Sequence, residues 1–228
     1  MSPVPDLPPS KWTFDPVAWP ADDCVAAGAD LEPPTILDAY AHGAFPMPIE
    51  EIGPMLWWSP LTRGVLRLED AHISRSLRRT LKGFTITVDR SFTEVIDACA
   101  DPNRPGAWID TRIRDAYVQL HRLGWAHSIE ARTHDGALAG GLYGIAIGGL
   151  FAGESMFHHV RDASKAALMG LVALLRDEYA GARLIDVQWQ TPHLASLGVT
   201  KMPRREYLTA LPSLCSVPLP RAFVTEFA

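Results

Sequence analysis

Cysteine is scarce and scattered. Cys24, Cys99 and Cys215 are odd in number, far apart and form no C-x-x-C pair, so neither a disulfide framework nor a structural zinc is expected, and reduced thiols in a cytosol are. Long apolar runs are also missing: none approaches the roughly 20 residues that span a bilayer. The opening MSPVPDLPPSKWTF lacks both a basic start and an apolar stretch, so no secretory signal is expected. Nor is there a surplus of positive charge. Lys and Arg number 21 against 26 Asp and Glu, a net charge of −5, which argues against blanket nucleic-acid binding and leaves room for a local basic patch. No G-x-S-x-G elbow or Cys–His nucleophile pattern occurs, which disfavours covalent catalysis. The glycines of GGLYGIAIGG run through strands rather than open a helix, so no dinucleotide, P-loop or coenzyme A pyrophosphate site is supported.

What is present suits a folded chain of 228 residues, 47% hydrophobic and 21% charged, able to bury a proper core. Twelve of its 19 prolines fall in the first 60 residues. Residues 1–61 therefore read as a small, loop-rich N-terminal domain with one helix near 34–42, too small to bury much alone and expected to pack on residues 62–228. After WWSP the texture turns regular. Strands are expected at 64–68 and 84–88, a helix capped by Asp70 runs to about Lys82, and a second helix over 91–99 starts with Ser91 and Glu94 at capping-box spacing. Another helix covers 111–122. Three strands follow, AHSIEART, ALAGGLYGIAI and GLFAGESMF, joined by hairpin turns at Asp135-Gly136 and Gly148-Gly149. Asp162 caps a largely buried helix running on to Tyr179, LIDVQWQ is a strand, and Thr191-Pro192 opens a short helix closed by Gly198. This order implies an α+β fold with helices on a mostly antiparallel sheet.

Several residues invite chemistry. Arg75, Arg78, Arg79 and Lys82 fall on one face of the 71–82 helix, opposite Ile73, Leu77 and Leu81; they suit either a solvated face or a grip on consecutive phosphates. Trp57, Trp58 and Trp108 are expected in loops, where aromatics stack on bases or seal a domain seam; Trp108 is the better stacking candidate. Glu154 interrupts an apolar strand, which is costly unless it is paired or functional. His158, His159 and His193 attract a metal hypothesis, but adjacent histidines on a strand do not readily share an ion and no cysteine joins them, so no metal is expected.

These stretches occur in a recognisable order: DLEPPTILDAYAHGAFP, WWSP, HISRSLRR, GAWID, AHSIE, GGLYGIAIGGLFAGESMF, ASKAAL, LIDVQWQTPHLASLG and MPRREYL. From about residue 24 to 220 the chain resembles the leucyl/phenylalanyl-tRNA–protein transferases, with GESMF…ASK and LID.Q…H.ASLG the most specific segments. The resemblance implies an acetyltransferase-like (GNAT-like) domain behind the small N-terminal one. It implies transfer of leucine or phenylalanine from Leu-tRNA or Phe-tRNA to the α-amine of proteins that begin with Arg or Lys, in the bacterial cytosol, marking them for N-degron degradation. No cofactor or metal and no membrane partner is implied, and a monomer is the default. It places Trp108 on the terminal adenosine and Arg75, Arg78, Arg79 and Lys82 on the acceptor backbone. Leu142, Phe151, Met156, Leu168, Leu171 and Ile185 would line the side-chain pocket. Two departures are visible: Met47 where a second adenosine-contacting tryptophan is usual, and Thr191 where asparagine is frequent.

The implied chemistry starts from an activated ester, so the tasks are holding it, presenting a neutral amine and stabilising an oxyanion. Asp186 and Gln188, at i and i+2 of the expected strand, would share a face about 7 Å apart. Either Asp186 takes the proton directly or Gln188 accepts it while Asp186 orients the amide. Glu154 and Asp186 would also attract a cationic acceptor residue. Two other functions remain in play on residues alone: an aminoacyl-tRNA transferase acting on a cell-wall precursor amine, and a non-catalytic tRNA-binding module. The specific motifs disfavour the first and the polar row beside apolar pocket positions disfavours the second.

Overall fold

The computed structural model describes residues 8–49, 53–104 and 106–224. The first seven residues of the MSPVPDLPPSKWTF stretch and the last four of the chain lie outside them. Near the N-terminus, β1 (Cys24–Ala27), α1 (Pro33–Ala41), β2 (Phe45–Pro46) and β3 (Leu56–Trp58) form a small antiparallel sheet in the order β1-β3-β2 with one helix. Trp57 and Trp58 are therefore strand residues rather than loop residues. Trp57 is fully buried and donates to the Gly28 carbonyl at 2.7 Å, while Trp58 donates to the Met47 carbonyl at 2.9 Å.

The larger part comprises β4 (Thr62–Arg67), α2 (Arg75–Leu81), β5 (Thr85–Val88), α3 (Phe92–Cys99), α4 (Thr111–Arg122), β6 (Ala126–Arg132), β7 (Leu138–Ile147), β8 (Leu150–His158), α5 (Ala163–Leu174), β9 (Leu184–Asp186), α6 (Pro192–Ala195), β10 (Thr200–Pro203) and α7 (Arg204–Cys215). Its seven strands run β10-β4-β9-β8-β7-β6-β5. Every neighbouring pair is antiparallel except β8 and β9, whose parallel pairing requires the crossover that α5 supplies. One face of the sheet packs on α3, α4 and the N-terminal residues Phe14, Ile36, Tyr40 and Trp57 in a continuous core. The other face packs on α5, through Ala167, Leu168 and Leu171. The N-terminal unit thus shares the core of the larger part.

Four local expectations change. Asp70 does not cap a helix: Leu68–Asp70 is a short 3-10 turn, and α2 begins at Arg75 with the Ser74 hydroxyl accepting from Leu77 N–H at 3.2 Å. The His72 N–H bonds the Leu197 carbonyl instead, which holds the intervening chain extended. Ser91 and Asp162 occupy N-cap positions without accepting a helix backbone N–H through their side chains. Arg132 donates to the Ser91 hydroxyl at 2.6 Å and Lys165 to the Asp162 carboxylate at 2.6 Å. α5 ends at Leu174, short of Tyr179, because the Asp177 carboxylate closes a turn by accepting from Tyr179 N–H and from Arg183. The strand in LIDVQWQ stops at Asp186, and β10 and α7 add a seventh sheet strand and a helix that the sequence reading left out.

Candidate active site

A register shift in β8 positions the first carboxylate. Tyr143 pairs with Ser155 but Gly144 pairs with Gly153, so Glu154 is an extra residue opposite the partner strand. Such a bulge reverses which face later residues present. Phe151 lies in the core on the α5 side, while Phe157, beyond the bulge, lies in the core on the α3 side. Glu154 Oε2 accepts from the Tyr117 hydroxyl at 3.1 Å, and the Tyr117 and Tyr40 oxygens are 2.6 Å apart. Oε1 is enclosed with no hydrogen-bond partner. Burial pushes the Glu154 carboxyl up to about 8, helped by the nearby Asp186 charge and opposed by the tyrosine hydrogen bonds and by Arg63.

The second carboxylate, Asp186, ends β9 between β4 and β8, fully buried. Arg63 grips it with two parallel bonds, Nε to Oδ1 at 2.8 Å and a terminal nitrogen to Oδ2 at 2.6 Å. The Tyr207 hydroxyl donates to Oδ2 at 2.9 Å and the Gln188 backbone N–H to Oδ1 at 2.9 Å. Arg63 is itself 1% exposed, donates to the Gly43 carbonyl at 3.1 Å and lies over the Phe45 and Tyr207 rings. Burial alone would favour its neutral form, but the Asp186 charge overrides this and raises its pKa. Each guanidinium nitrogen and each carboxylate oxygen thus has a partner, which favours the persistence of a buried pair.

Beyond Asp186 the chain turns sharply, with Gln188 at φ 58°. Left-handed backbone at a non-glycine residue costs on the order of 1–3 kcal/mol and persists where neighbours enforce it. Here the Gln188 carbonyl accepts from Gly64 N–H at 2.8 Å, and the Val187 N–H donates to the Gly64 carbonyl at 2.9 Å. A Cβ on Gly64 would meet the Gln190 nitrogen at 2.6 Å, so β4 needs glycine at this crossing. Asp186 and Gln188 consequently do not share one face of a regular strand; the turn replaces it. The Gln188 side chain lines a cavity with its Nε2 buried and unpaired.

That cavity, about 110 Å³, lies on the α5 side of the sheet. Leu142, Phe151, Met156, Leu168, Leu171 and Ile185, the six residues expected to line a pocket, all line it, with Glu154, Ser155 and Gln188 as its polar residues. No histidine or cysteine lines it, so no Ser–His or Cys–His pair meets there. Elsewhere, Arg75, Arg78, Arg79 and Lys82 are exposed on α2 and its C-cap with Leu77 buried beneath. Trp108 is half-buried against the α3-side core, and so is Met47. Thr191 caps α6 by accepting from Leu194 N–H at 3.2 Å, and Gln190 donates to the Val199 carbonyl at 2.6 Å, a structural bond. Among the described residues no three His, Cys, Asp or Glu side chains cluster as metal ligands, and no helix is long and apolar enough to cross a membrane.

Sequence reasoning missed Arg63, Tyr207, Tyr117 and Tyr40. A usable signal existed for Arg63: it directly precedes the apolar GVLRL run, at the strand parity of Val65. Nothing local in α7 pairs Tyr207 with a residue 21 positions earlier.

An apolar cavity lined by one buried carboxylate, Glu154, and by the Gln188 that follows a second, with no histidine or cysteine in its lining, suits an enzyme that passes on an acyl group already activated elsewhere. Comparison with known proteins sharpens this class. Residues 65–212 match the family model of the leucyl/phenylalanyl-tRNA protein transferase, and residues 29–61 that of its N-terminal domain. The leucyl/phenylalanyl-tRNA–protein transferase of Aeromonas hydrophila is 48% identical over 199 residues, 86% of this chain and 83% of that one. That of Aromatoleum aromaticum is 48% identical over 211 residues, 91% and 86% of the two chains. That of Novosphingobium aromaticivorans is 50% identical over 187 residues, 79% and 70%. The chain belongs to the leucyl/phenylalanyl-tRNA–protein transferase family and is an aminoacyltransferase.

Proposed function

We propose that the cavity holds the side chain of a leucyl or phenylalanyl ester on tRNA, and that Glu154 and Gln188 at its edge pass the acyl group to the α-amine of a protein beginning with Arg or Lys. The observation that carries this reading is the pair of unpartnered buried atoms, Glu154 Oε1 and Gln188 Nε2, beside one apolar cavity. An unpaired buried polar atom is costly, and a substrate that pairs it recovers that cost.

Glu154, with its carboxyl at about 8, matches an N-terminal amine of roughly 7.7–8.0. A proton therefore passes between them at little cost. Of the three ammonium protons one goes to Glu154, one to the departing ribose oxygen and one stays on the new amide. The amine nitrogen attacks the ester carbonyl carbon, an oxyanion forms, and its collapse breaks the bond to the tRNA ribose. Gln188 Nε2 is the donor for that oxyanion, a contribution of about 10²–10³ in rate for a single donor. Asp186, its oxygens already bonded by Arg63, Tyr207 and Gln188 N–H, serves by fixing the turn that presents Gln188. This saturation favours Glu154 over Asp186 as the proton acceptor. Asp186 is already paired with Arg63, so it is Glu154, in its ionised form, that attracts a cationic first residue.

Trp108 and the basic face of α2 take the tRNA end and acceptor backbone in this reading, and the protein works as a monomer in the cytosol, feeding N-degron degradation. Residues 1–61 and 62–228 are its two domains, the separate small sheet supporting the division. The larger sheet is read as acetyltransferase-like, its one parallel pair in an otherwise antiparallel order supporting that assignment. The deciding experiment offers radiolabelled Leu-tRNA and Phe-tRNA with peptides starting in Arg, Lys or Met. Transfer to the Arg- and Lys-start peptides is expected; transfer to none overturns the reading. If Glu154→Gln leaves the preference for Arg and Lys starts unchanged, the electrostatic cause is lost.

A further inference from the structure

A second, larger cleft of about 620 Å³ opens beside the first cavity, and Met156 lines both. Its cationic and imidazole residues converge from four segments: Arg104 from the α3–α4 loop, His158 and His159 at the end of β8, Arg161 and Lys165 around the start of α5, and His193 on α6. Two carboxylates also line it, and both are engaged. Asp101 Oδ1 accepts from the backbone and side-chain nitrogens of Asn103, each at 2.9 Å, and Asp162 Oδ1 accepts from Lys165 at 2.6 Å. Arg104 donates to the carbonyls of Cys99 and Met156, the latter at 2.6 Å, and has no carboxylate within ion-pair distance among the described residues. The Arg161 side chain is 95% exposed, with its Nε 3.8 Å from Asp162 Oδ2. Three cationic side chains thus line the cleft with two carboxylates, an excess of one positive charge, with the three imidazoles beside them.

Its position relative to the acyl cavity is specific. On α6, Leu194 lines the acyl cavity while the preceding His193 lines the cleft. The α3–α4 loop that supplies Arg104 also carries Trp108, and the segment leading into α2 bonds the end of α6 through His72 and Leu197. An ester whose side chain fills the acyl cavity has its nucleotide end outside, with this cleft sharing the Met156 wall.

We propose that the cleft binds the phosphodiester groups of the last nucleotides at the tRNA 3′ end, with Arg104, Arg161 and Lys165 facing the phosphates and the histidines as hydrogen-bond donors. The proposal rests on the aminoacyl-tRNA reading of the adjacent cavity. Phosphate contacts of this kind give affinity that falls with salt, each single-strand contact contributing about 0.7 to the slope. They also hold the ester in register, so their loss appears in the KM for charged tRNA.

The test separates the cleft from the reading beneath it. Fluorescence anisotropy compares a tRNA acceptor hairpin ending in ACCA with the same hairpin lacking its last three nucleotides, on wild type and on Arg161→Glu. Because Arg161 is exposed, this variant keeps its fold, which a thermal melt verifies. The expected result is a preference for the intact end that Arg161→Glu reduces about tenfold, with a salt slope smaller by about 0.7 or more, and unchanged binding of the truncated hairpin. In transfer assays the KM for Leu-tRNA rises while that for an Arg-start peptide stays put. A shift in the peptide KM, larger for peptides with Asp or Glu after the first residue, would assign the cleft to the acceptor chain and overturn the proposal. No change in either hairpin preference or KM overturns it as well. Failure of wild type to transfer to any peptide would sink the aminoacyl-tRNA reading instead, and the hairpin measurement would still report on the cleft.

Discussion

The two carboxylates of the site sit on β8 and β9, neighbours in one sheet, and their surroundings are opposite. Around Asp186 the protein has placed a guanidinium, a tyrosine hydroxyl and a backbone N–H, four bonds for two oxygens. Around Glu154 it has placed three tyrosines, Tyr40, Tyr117 and Tyr143; one donates directly, and one oxygen is left without a partner. The first arrangement pairs the carboxylate with a buried guanidinium and immobilises what it touches. The second leaves an acid able to gain or lose a proton near neutral pH. Two buried carboxylates in one site thus take different roles: Asp186 is held by a buried counter-ion, while burial without one raises the Glu154 carboxyl.

The sharpest way to break this contrast is to remove the anchor's counter-ion. Arg63→Met leaves Asp186 buried and unpaired, and a loss of about 3–5 kcal/mol in folding stability is expected, measured by urea denaturation. Arg63→Met combined with Asp186→Leu should recover much of that loss while remaining inactive. If Arg63→Met costs no more than an exposed arginine would, Asp186 does not depend on Arg63 as its counter-ion. Next in size, Gln188→Ala removes the donor presented by the Asp186 turn. kcat is expected to fall about 10²–10³-fold with the KM for Leu-tRNA little changed; a change confined to KM would make Gln188 a binding residue.

On the other side, Glu154→Gln probes titration. With its pKa raised from 4.5 to about 8, the folded protein holds a proton there that the unfolded chain releases above the lower value. Stability from this source is complete below about 4.5 and is lost as pH rises toward 8. Wild type should therefore weaken between pH 5 and 8 relative to Glu154→Gln, whose amide does not titrate. Parallel stability profiles would show that Glu154 does not titrate in this window. The transfer rate should also lose its rise toward pH 8 in the variant, because the ionised Glu154 is the proton acceptor.

The two halves of the contrast differ in how far the sequence revealed them. The six residues expected at the apolar cavity come from the family resemblance; simple alternation along β8 would set Phe151 and Met156 on opposite faces, and the bulge at Glu154 brings both to the cavity. Glu154 was legible as an anomaly because a carboxylate in FAGESMF breaks an apolar run, although the bulge that aims it depends on pairing with β7. The anchor was hidden. Arg63 and Asp186 are 123 positions apart, and their meeting requires β4 and β9 to be neighbours, which no local pattern specifies. The alternation of LIDVQWQ predicts a continuous strand through Gln188; the turn at φ 58° depends on Gly64 of β4, which leaves room for the backbone to cross there.

The finest comparison uses the same small change on both sides. Tyr207→Phe removes one of four bonds to Asp186, and Tyr117→Phe removes the direct hydroxyl donor to Glu154. Because Asp186 keeps Arg63 on both oxygens, Tyr207→Phe should cost about 1.5–3 kcal/mol of stability, the range for a bond to a charged group, and leave the pH profile of transfer in place. Tyr117→Phe should cost less at neutral pH, since its partner is largely protonated there, yet it should move the profile to higher pH, because the Tyr117 bond lowers the Glu154 pKa. Matched denaturation curves and matched pH–rate profiles read the two effects separately. If Tyr207→Phe moves the profile and Tyr117→Phe does not, the titrating group belongs to the Asp186 side and the assignment of roles must be exchanged.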